Sequence, residues 1–246
     1  MATPKDFMDE AEPTITFIFP EYYLSQMPLF IVSTPIGNLK DMTLRALDTL
    51  KQSDIILAED TRRTSVLLGH YNIKGKRIIS FNDFNKEKKT GAIISELKQD
   101  RQISIVSDSG TPGISDPGFY LIRESIKNDI RVIPIPGPTA SIAALTAAGF
   151  PTDSFTFYGF IPKKEKARKD LLDKIKSRND TSILYESPYR LMKTLRSMSE
   201  IMPDREICIA RELTKKFEEF LRGAAEELYL KLKDKPVKGE ITIIIK

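Results

Sequence analysis

The chain has 246 residues, 41% of them hydrophobic, enough to bury the core of one large domain or two small ones. It contains one Cys and one His, which exclude a zinc site built from Cys and His and a disulfide within the chain. With 38 basic and 34 acidic residues the formal net charge is +4, which is compatible with an RNA partner but does not indicate one. No apolar stretch approaches the ~20 residues of a transmembrane helix, and no signal peptide is recognisable, so we expect a cytoplasmic protein without a membrane partner.

The first 27 residues differ in composition from the rest of the chain. Residues 1–12 are polar and acidic, and Pro4, Pro13 and Pro20 interrupt the segment. Met27 directly precedes the first strongly apolar run. We therefore expect residues 1–27 to be a weakly ordered N-terminal extension; an arm that packs on a partner subunit is the alternative.

Residues 28–150 alternate between short apolar runs and amphipathic segments. The apolar runs predict strands at 29–33, 54–58, 77–81, 103–107 and 131–135. Helices are predicted at 43–50, 61–69, 87–97, 119–127 and 140–148. This alternation indicates an N-terminal α/β domain with a mostly parallel sheet covered on both faces.

A hinge is predicted at residues 150–153, and a second α/β domain over 151–246. Its strands are predicted at 155–160, 181–185, 206–210 and 240–245. Leu191, Leu195, Met198 and Met202 share one face of a predicted helix, a spacing typical of core packing. Residues 217–222, with a helix over 224–233, complete the unit.

Three loops rich in Gly and Pro follow predicted strands, at 34–38, 108–118 and 136–140. Ligands in open α/β sheets bind just past the carboxyl ends of strands, so three such loops predict one shared crevice. None of them matches a phosphate-binding glycine motif or carries Lys or Arg before the next helix. Backbone amides, small side chains, Asp108 and Asp116 suit a ligand with hydroxyl groups and positive charge. Any one of these loops taken alone is better explained as a tight turn, and only the three together favour a ligand site.

Eight short blocks carry a resemblance to a known family. In chain order they are TPIGNL (34–39), AEDTR (58–62), VSDSGTP (106–112), ISDPG (114–118), PGPTA (136–140), YESP (185–188), ARELTK (210–215) and KGE (238–240). Together they resemble the bacterial small-subunit rRNA (cytidine 2′-O)-methyltransferase family of the tetrapyrrole-methylase-like superfamily. A single block is weak evidence, whereas the ordered set covers nearly all of residues 28–246.

The resemblance implies a fold, a cofactor and a reaction. It implies two α/β domains with mostly parallel or mixed sheets, a homodimer, and S-adenosyl-L-methionine in a cleft between the domains. The substrate would be the ribose 2′-hydroxyl of a cytidine in small-subunit (16S) rRNA, free or in the 30S subunit, and no metal is required. By resemblance the cleft is lined by Pro35, Gly110, Thr111, Ile114, Thr139 and Ala140, with Ala210 approaching from the second domain. Asp108 could accept a hydrogen bond from an ammonium or ribose hydroxyl group of the cofactor.

The chain departs from the family where imidazoles are usual. The family shows His, an acidic residue, His and Asn where this chain has Asn82-Asp83-Phe84-Asn85, and His in place of Arg63 and of Tyr189. An activated methyl donor makes a strong base optional, because positioning supplies much of the rate. Candidates for orienting or deprotonating the hydroxyl are therefore the carboxylates of Asp83, Glu59 and Asp60.

Candidate RNA-binding residues lie in the same segments and beyond the hinge. Arg62 could grip a phosphate, Phe84 could stack on a base and Asn85 could hydrogen-bond to RNA. The alternatives are a salt-bridged helix start at 59–63 and an ordinary polar turn at 82–85.

The basic run that includes Lys163 and Lys164 could neutralise phosphates or form a solvated helix face. Arg190 could contact phosphate or pair with Glu186. Two other functions stay open: another methyltransferase of the superfamily, and a non-catalytic RNA-binding or assembly protein on the same fold.

Overall fold

The computed structural model describes residues 27–116, 118–234 and 236–246, which form two five-stranded sheets. The predicted N-terminal extension lies outside these ranges, apart from Met27. None of the helices described is both long enough and apolar enough to cross a bilayer.

The first sheet is entirely parallel. Its strands are β1 (Leu29–Val32), β2 (Ile55–Ala58), β3 (Arg77–Ser80), β4 (Ile103–Val106) and β5 (Val132–Ile135), in the order β3-β2-β4-β1-β5. From β1 the chain crosses to β2 on one side of β1, and from β4 it crosses to β5 on the other side of β1. Because β4, β1 and β5 are neighbours, the three loops rich in Gly and Pro emerge side by side at the carboxyl edge.

Four helices cover both faces of this sheet. They are α1 (Leu44–Gln52), α2 (Thr61–His70), α3 (Lys86–Leu97) and α4 (Gly118–Lys127). Leu97 of α3 and Leu121 of α4 share one apolar cluster with Leu29 and Ile105. Residues of α1 and α2 share another with strand residues of the opposite face. The predicted sheet covered on both faces is therefore confirmed.

Helix α5 (Ala140–Ala148) packs on the second sheet, although the sequence expectation placed it within the 28–150 domain. Ala144, Leu145 and Ala148 are buried in a cluster with Ile183 and Ile244. The small alanine side chains let the helix lie close to the strands, and they carry no signal for which sheet they contact.

The second sheet is mixed, and with it the predicted fold class is confirmed. Its strands are β6 (Phe155–Phe160), β7 (Thr181–Glu186), β8 (Glu206–Arg211), β9 (Glu219–Ala224) and β10 (Ile241–Ile245), in the order β6-β7-β10-β8-β9. Only the β6–β7 pair is parallel.

Helices α6 (Glu165–Lys176), α7 (Leu191–Ile201) and α8 (Ala225–Leu232) cover the face of the second sheet opposite α5. The predicted apolar face of α7 lies in their core: Leu191, Leu195 and Met198 are fully buried and Met202 nearly so.

Candidate functional site

The three loops at the carboxyl edge of the first sheet are joined by hydrogen bonds. Thr34 and Gly110 exchange backbone hydrogen bonds of 2.8 and 3.1 Å, which link the loops after β1 and β4. The Thr111 hydroxyl lies 2.9 Å from Ser33 Oγ and 2.7 Å from Thr139 Oγ1, so it reaches both neighbouring loops. The loops therefore form one unit, as the sequence predicted from their positions.

A cleft of about 430 Å³ lies between this loop unit and the second sheet. Its volume is typical of small-molecule sites, which span roughly 300–1,000 Å³. The loops that follow the strands of the first sheet, with Arg63 of α2 and Ala140 at the start of α5, supply Ile36, Glu59, Arg63, residues 107–111, residues 114–116, Thr139 and Ala140. The second sheet and the segments around it supply Phe160, residues 185–188 and residues 239–242.

Six of the eight predicted cofactor-binding residues line this cleft: Asp108, Gly110, Thr111, Ile114, Thr139 and Ala140. Pro35 lines an adjoining cleft of about 190 Å³, which shares Arg63, Ser107 and Asp108 with the larger one. Ala210 lines neither cleft, because its side chain is fully buried in the apolar cluster beneath α5. Its partner across the β8–β10 pair, Thr242, reaches the cleft instead.

Carboxylates dominate the charge of the larger cleft. Glu59, Asp108, Asp116, Glu186 and Glu240 are among its lining residues, and Arg63 is the one cation among those described. Asp108 pairs with Arg63, Glu186 with Arg190 and Glu240 with Lys215. A cleft rich in acceptors and poor in cations suits hydroxyl groups and positive charge, and it disfavours phosphate.

Two of these carboxyl groups have raised pKa values. Burial raises the pKa of Glu59. A weak hydrogen bond from the Asp108 amide lowers this pKa, and the negative charge of Asp108 raises it. Burial also raises the pKa of Asp116, although the amides of Gly113 and Gly118 donate to its carboxylate. Raised carboxyl pKa values in a cleft are typical of functional sites.

Asp60 and Arg62 form a local ion pair at the start of α2. Asp60 Oδ1 accepts from the Arg62 amide at 2.9 Å, and Arg62 Nη2 lies 2.6 Å from Asp60 Oδ2. Hydrogen bonds from the Arg62 side chain hold the pKa of Asp60 well below its usual range. Neither residue lines the cleft, so the geometry matches the salt-bridged helix start that the sequence left open.

Residues 82–85 form a polar turn outside both clefts. Asp83 pairs with Lys86 at 2.7 Å, and Asn85 Oδ1 accepts from the Asn82 amide at 3.0 Å. Phe84 is fully exposed. The negative charge of Asp83 still acts on Glu59 and Asp116, so the turn lies within electrostatic range of the cleft.

The basic candidates beyond the hinge divide into two kinds. Lys163 and Lys164 are exposed just before α6. Arg190 is held inside the protein: its Nη2 lies 2.6 Å from Glu186 Oε1, and its Nη1 donates to the Ile161 carbonyl at 3.0 Å. Arg190 therefore holds α7 to the end of β6, which is the alternative that the sequence left open.

Sequence reasoning missed most of the wall contributed by the second sheet. Tyr185 and Glu240 lie in blocks that carry the family resemblance, but their residue types and spacing do not indicate a role. Phe160 and Thr242 carried no signal at all. The Tyr185 hydroxyl accepts from the Ser141 amide at 3.2 Å, which ties the second sheet to the start of α5 beside the cleft.

Comparisons with known proteins agree with this geometry. The model of the family "Tetrapyrrole (Corrin/Porphyrin) Methylases" matches residues 28–229. A protein of Halalkalibacterium halodurans named "Ribosomal RNA small subunit methyltransferase I" is 48% identical over 217 residues, covering 88% of this chain and 75% of that protein. A protein of the same name from Thermotoga maritima is also 48% identical over 217 residues, covering 88% of this chain and 97% of its own.

Solved structures share the fold at low identity. A diphthine synthase superposes with a TM-score of 0.70 at 12% identity, covering 89% of each chain. Uroporphyrin-III-C-methyltransferase from Thermus thermophilus superposes with a TM-score of 0.62 at 18% identity, covering 88% of this chain and 93% of its own.

The lining of the cleft fits S-adenosyl-L-methionine. S-adenosyl-L-methionine presents a sulfonium, an ammonium and ribose hydroxyl groups, which match a wall of carboxylates and loop carbonyls. The family model, the two relatives and the cleft lead to one assignment. The chain belongs to the tetrapyrrole (corrin/porphyrin) methylase family, in its branch of small-subunit ribosomal RNA methyltransferases I, and is an S-adenosyl-L-methionine-dependent methyltransferase.

Proposed function

We propose that this enzyme methylates the ribose 2′-hydroxyl of a cytidine in small-subunit (16S) rRNA, and that it does so in the cytoplasm as a homodimer. The observation that carries the proposal is the cleft that the three hydrogen-bonded loops and the second sheet build together. It occurs in a chain 48% identical to two proteins named as small-subunit rRNA methyltransferases.

The loop unit holds the cofactor in this proposal. The main chain at Gly110 and Ala140 and the Thr139 hydroxyl group would contact it, Thr111 would hold the loops together, and Asp108 would face its positive charge. When bound, S-adenosyl-L-methionine supplies a methyl group that its sulfonium sulfur activates for transfer. The hydrogen bonds among the loops hold these groups in place, and a site held in this way loses less free energy to ordering on binding.

Glu59 is the proposed group that receives the proton of the hydroxyl. It lines the cleft, and its raised pKa makes its carboxylate a stronger base than an exposed one. Asp60 is a poorer candidate, because its pairing with Arg62 lowers its pKa. Asp83 pairs with Lys86 outside the cleft, so its proposed role is restricted to the local electrostatic field.

The exposed groups around the cleft are the proposed contacts to RNA. Arg62 has 88% of its side chain exposed, and Phe84 is fully exposed on the turn after β3. Lys163 and Lys164 are likewise exposed, and the half-buried Asn85 completes the proposed set. Arginine and lysine would neutralise phosphates, so binding should weaken as salt concentration rises.

A methyl-transfer assay tests the proposal. Small subunits from a strain that lacks the gene are incubated with the purified enzyme and tritiated S-adenosyl-L-methionine, and the labelled nucleotide is mapped. Label at a single cytidine ribose is expected. Sedimentation of the enzyme alone should give twice the chain mass.

The opposite result would favour a non-catalytic role. Among the residues that the structure describes, none lining the cleft is a histidine. This is the one observation that favours a non-catalytic RNA-binding or assembly protein. Binding of S-adenosylhomocysteine and of small subunits, with no label transferred, would replace the enzyme proposal with it.

A further inference from the structure

Between two of its paired positions, strand β6 has one residue more than the neighbouring strand β7. The parallel pairing of β6 with β7 runs in register from Phe155 opposite Thr181 to Phe157 opposite Ile183. A regular continuation would place Gly159 opposite Tyr185, but Phe160 occupies that position. The strand therefore carries a β-bulge at residues 158–159.

The bulge changes the face on which Phe160 lies. Phe157 packs against the cluster beneath α5, whereas Tyr158 packs against the cluster of α6, α7 and α8. Alternation along a regular strand would put Phe160 on the same face as Tyr158. A slip of one residue moves a side chain to the opposite face, and Phe160 accordingly meets the ring of Tyr185.

Phe160 is a large apolar side chain that is both exposed and part of the cleft wall. The residue is 57% exposed, and it lines the cleft. Its ring centroid lies 5.5 Å from that of Tyr185 at 63°, an edge-to-face contact that orients the ring. The ring thus has a support on one side and open space on another.

The bulge directly precedes Phe160, the residue of β6 that lines the cleft. Gly159 has a φ of +68°, which a residue with a side chain rarely adopts. A Cβ atom on Gly159 would lie 3.2 Å from Ser115 Oγ, which belongs to the loop after β4 on the other side of the cleft. Bulges next to active sites commonly re-aim a side chain, and this one brings the β6 backbone close to the opposite wall and turns Phe160 toward Tyr185 and the cleft.

We propose that Phe160 is the platform on which the base of the target nucleotide stacks, so that the ribose hydroxyl is held at the cleft. The inference rests on the proposed function and adds a positioning residue to it. Single-stranded RNA is read by stacking unpaired bases on aromatic rings. Lys163 and Lys164, exposed three and four residues further along, would take the adjoining phosphates.

The test compares Phe160→Ala with Phe155→Ala, at the other end of the same strand. Phe155 is 41% exposed and does not line the cleft, so it controls for the loss of an exposed phenylalanine from β6. Unmethylated small subunits are the RNA probe, in filter binding and in methyl transfer, and S-adenosylhomocysteine is the probe for the cofactor site. Base–aromatic stacking predicts a loss of about 5- to 100-fold in RNA affinity and in kcat/KM for Phe160→Ala. Phe155→Ala should match the wild type.

Two further variants separate stacking from packing. Phe160→Tyr keeps the ring and should retain both values, whereas Phe160→Leu keeps an apolar side chain without a ring and should behave like the alanine variant. Equal RNA affinity for Phe160→Leu and the wild type would overturn the inference.

Cofactor binding distinguishes a ring that stacks on the RNA base from one that stacks on the adenine of the cofactor. A Kd for S-adenosylhomocysteine that is unchanged in Phe160→Ala supports the inference, and one that rises with no change in RNA affinity assigns the ring to the adenine and overturns it. If the wild type transfers no methyl group, the proposed function fails, while the RNA-binding comparison still decides the role of Phe160.

Discussion

Replacing Thr111 by Val removes the hydroxyl group that joins the three loops and leaves the side-chain shape unchanged. In the structure this hydroxyl lies 2.9 Å from Ser33 Oγ, 2.7 Å from Thr139 Oγ1 and 3.3 Å from the Pro138 carbonyl oxygen. A hydroxyl group donates one hydrogen bond and accepts two, so these contacts use its full capacity.

The expected cost follows from what happens to the partners. Each hydrogen bond contributes about 1 kcal/mol net to stability. Ser33 is only 2% exposed and cannot pair with water, whereas the partners at the cleft can be rehydrated. We therefore expect Thr111→Val to lower the free energy of unfolding by about 2 kcal/mol. Looser loops should also weaken cofactor binding, by about tenfold if roughly 1.4 kcal/mol of preorganisation is lost.

Two measurements check this expectation. Urea unfolding followed by circular dichroism gives the change in stability, and titration calorimetry with S-adenosylhomocysteine gives the change in Kd. Thr111→Ser retains the hydroxyl group and should stay near the wild type in both. A valine variant with wild-type stability and Kd would refute the view that these hydrogen bonds organise the loops.

Three more changes have definite expected outcomes. Gly37→Ala places a Cβ atom 2.5 Å from a side-chain carbon and 2.9 Å from a backbone oxygen of the loop after β8, so it should cost about 1–3 kcal/mol in urea unfolding. Gly69→Ala, with open space around it on α2, is the control and should not destabilise. Glu59→Gln should lower kcat by about 100-fold or more and abolish the acid limb of the pH–rate profile. In the wild type that limb should lie above the ordinary carboxyl range, because burial raises the pKa of Glu59 and the rate rises as the group loses its proton. Arg190→Ala should lower stability by about 2 kcal/mol and leave RNA affinity nearly unchanged, since the buried carboxylate of Glu186 loses its cation and keeps only the hydrogen bonds from Ser187 and Thr194. Recovery of stability in the double variant with Glu186→Gln would support this, and a loss confined to RNA affinity would contradict it.

The sequence alone determined the features that depend on neighbouring residues. Short β-branched runs that stop at Gly and Pro are local signals, and they located all five strands of the first sheet to within a residue or two. The rule that ligands bind past strand ends then brought the loops at 34–38, 108–118 and 136–140 together. The apolar face of α7 was equally readable, because helical periodicity is a property of the segment itself.

Only the tertiary structure decided which surfaces meet. Nothing in an alanine-rich helix specifies the sheet on which it packs, so the position of α5 emerged from the complete core. Glu59 and Asp60 are adjacent in sequence and chemically alike, yet one lines the cleft with a raised pKa and the other pairs with Arg62. The face of Phe160 depends on one additional residue in β6, and the register of a strand is set by the strand beside it.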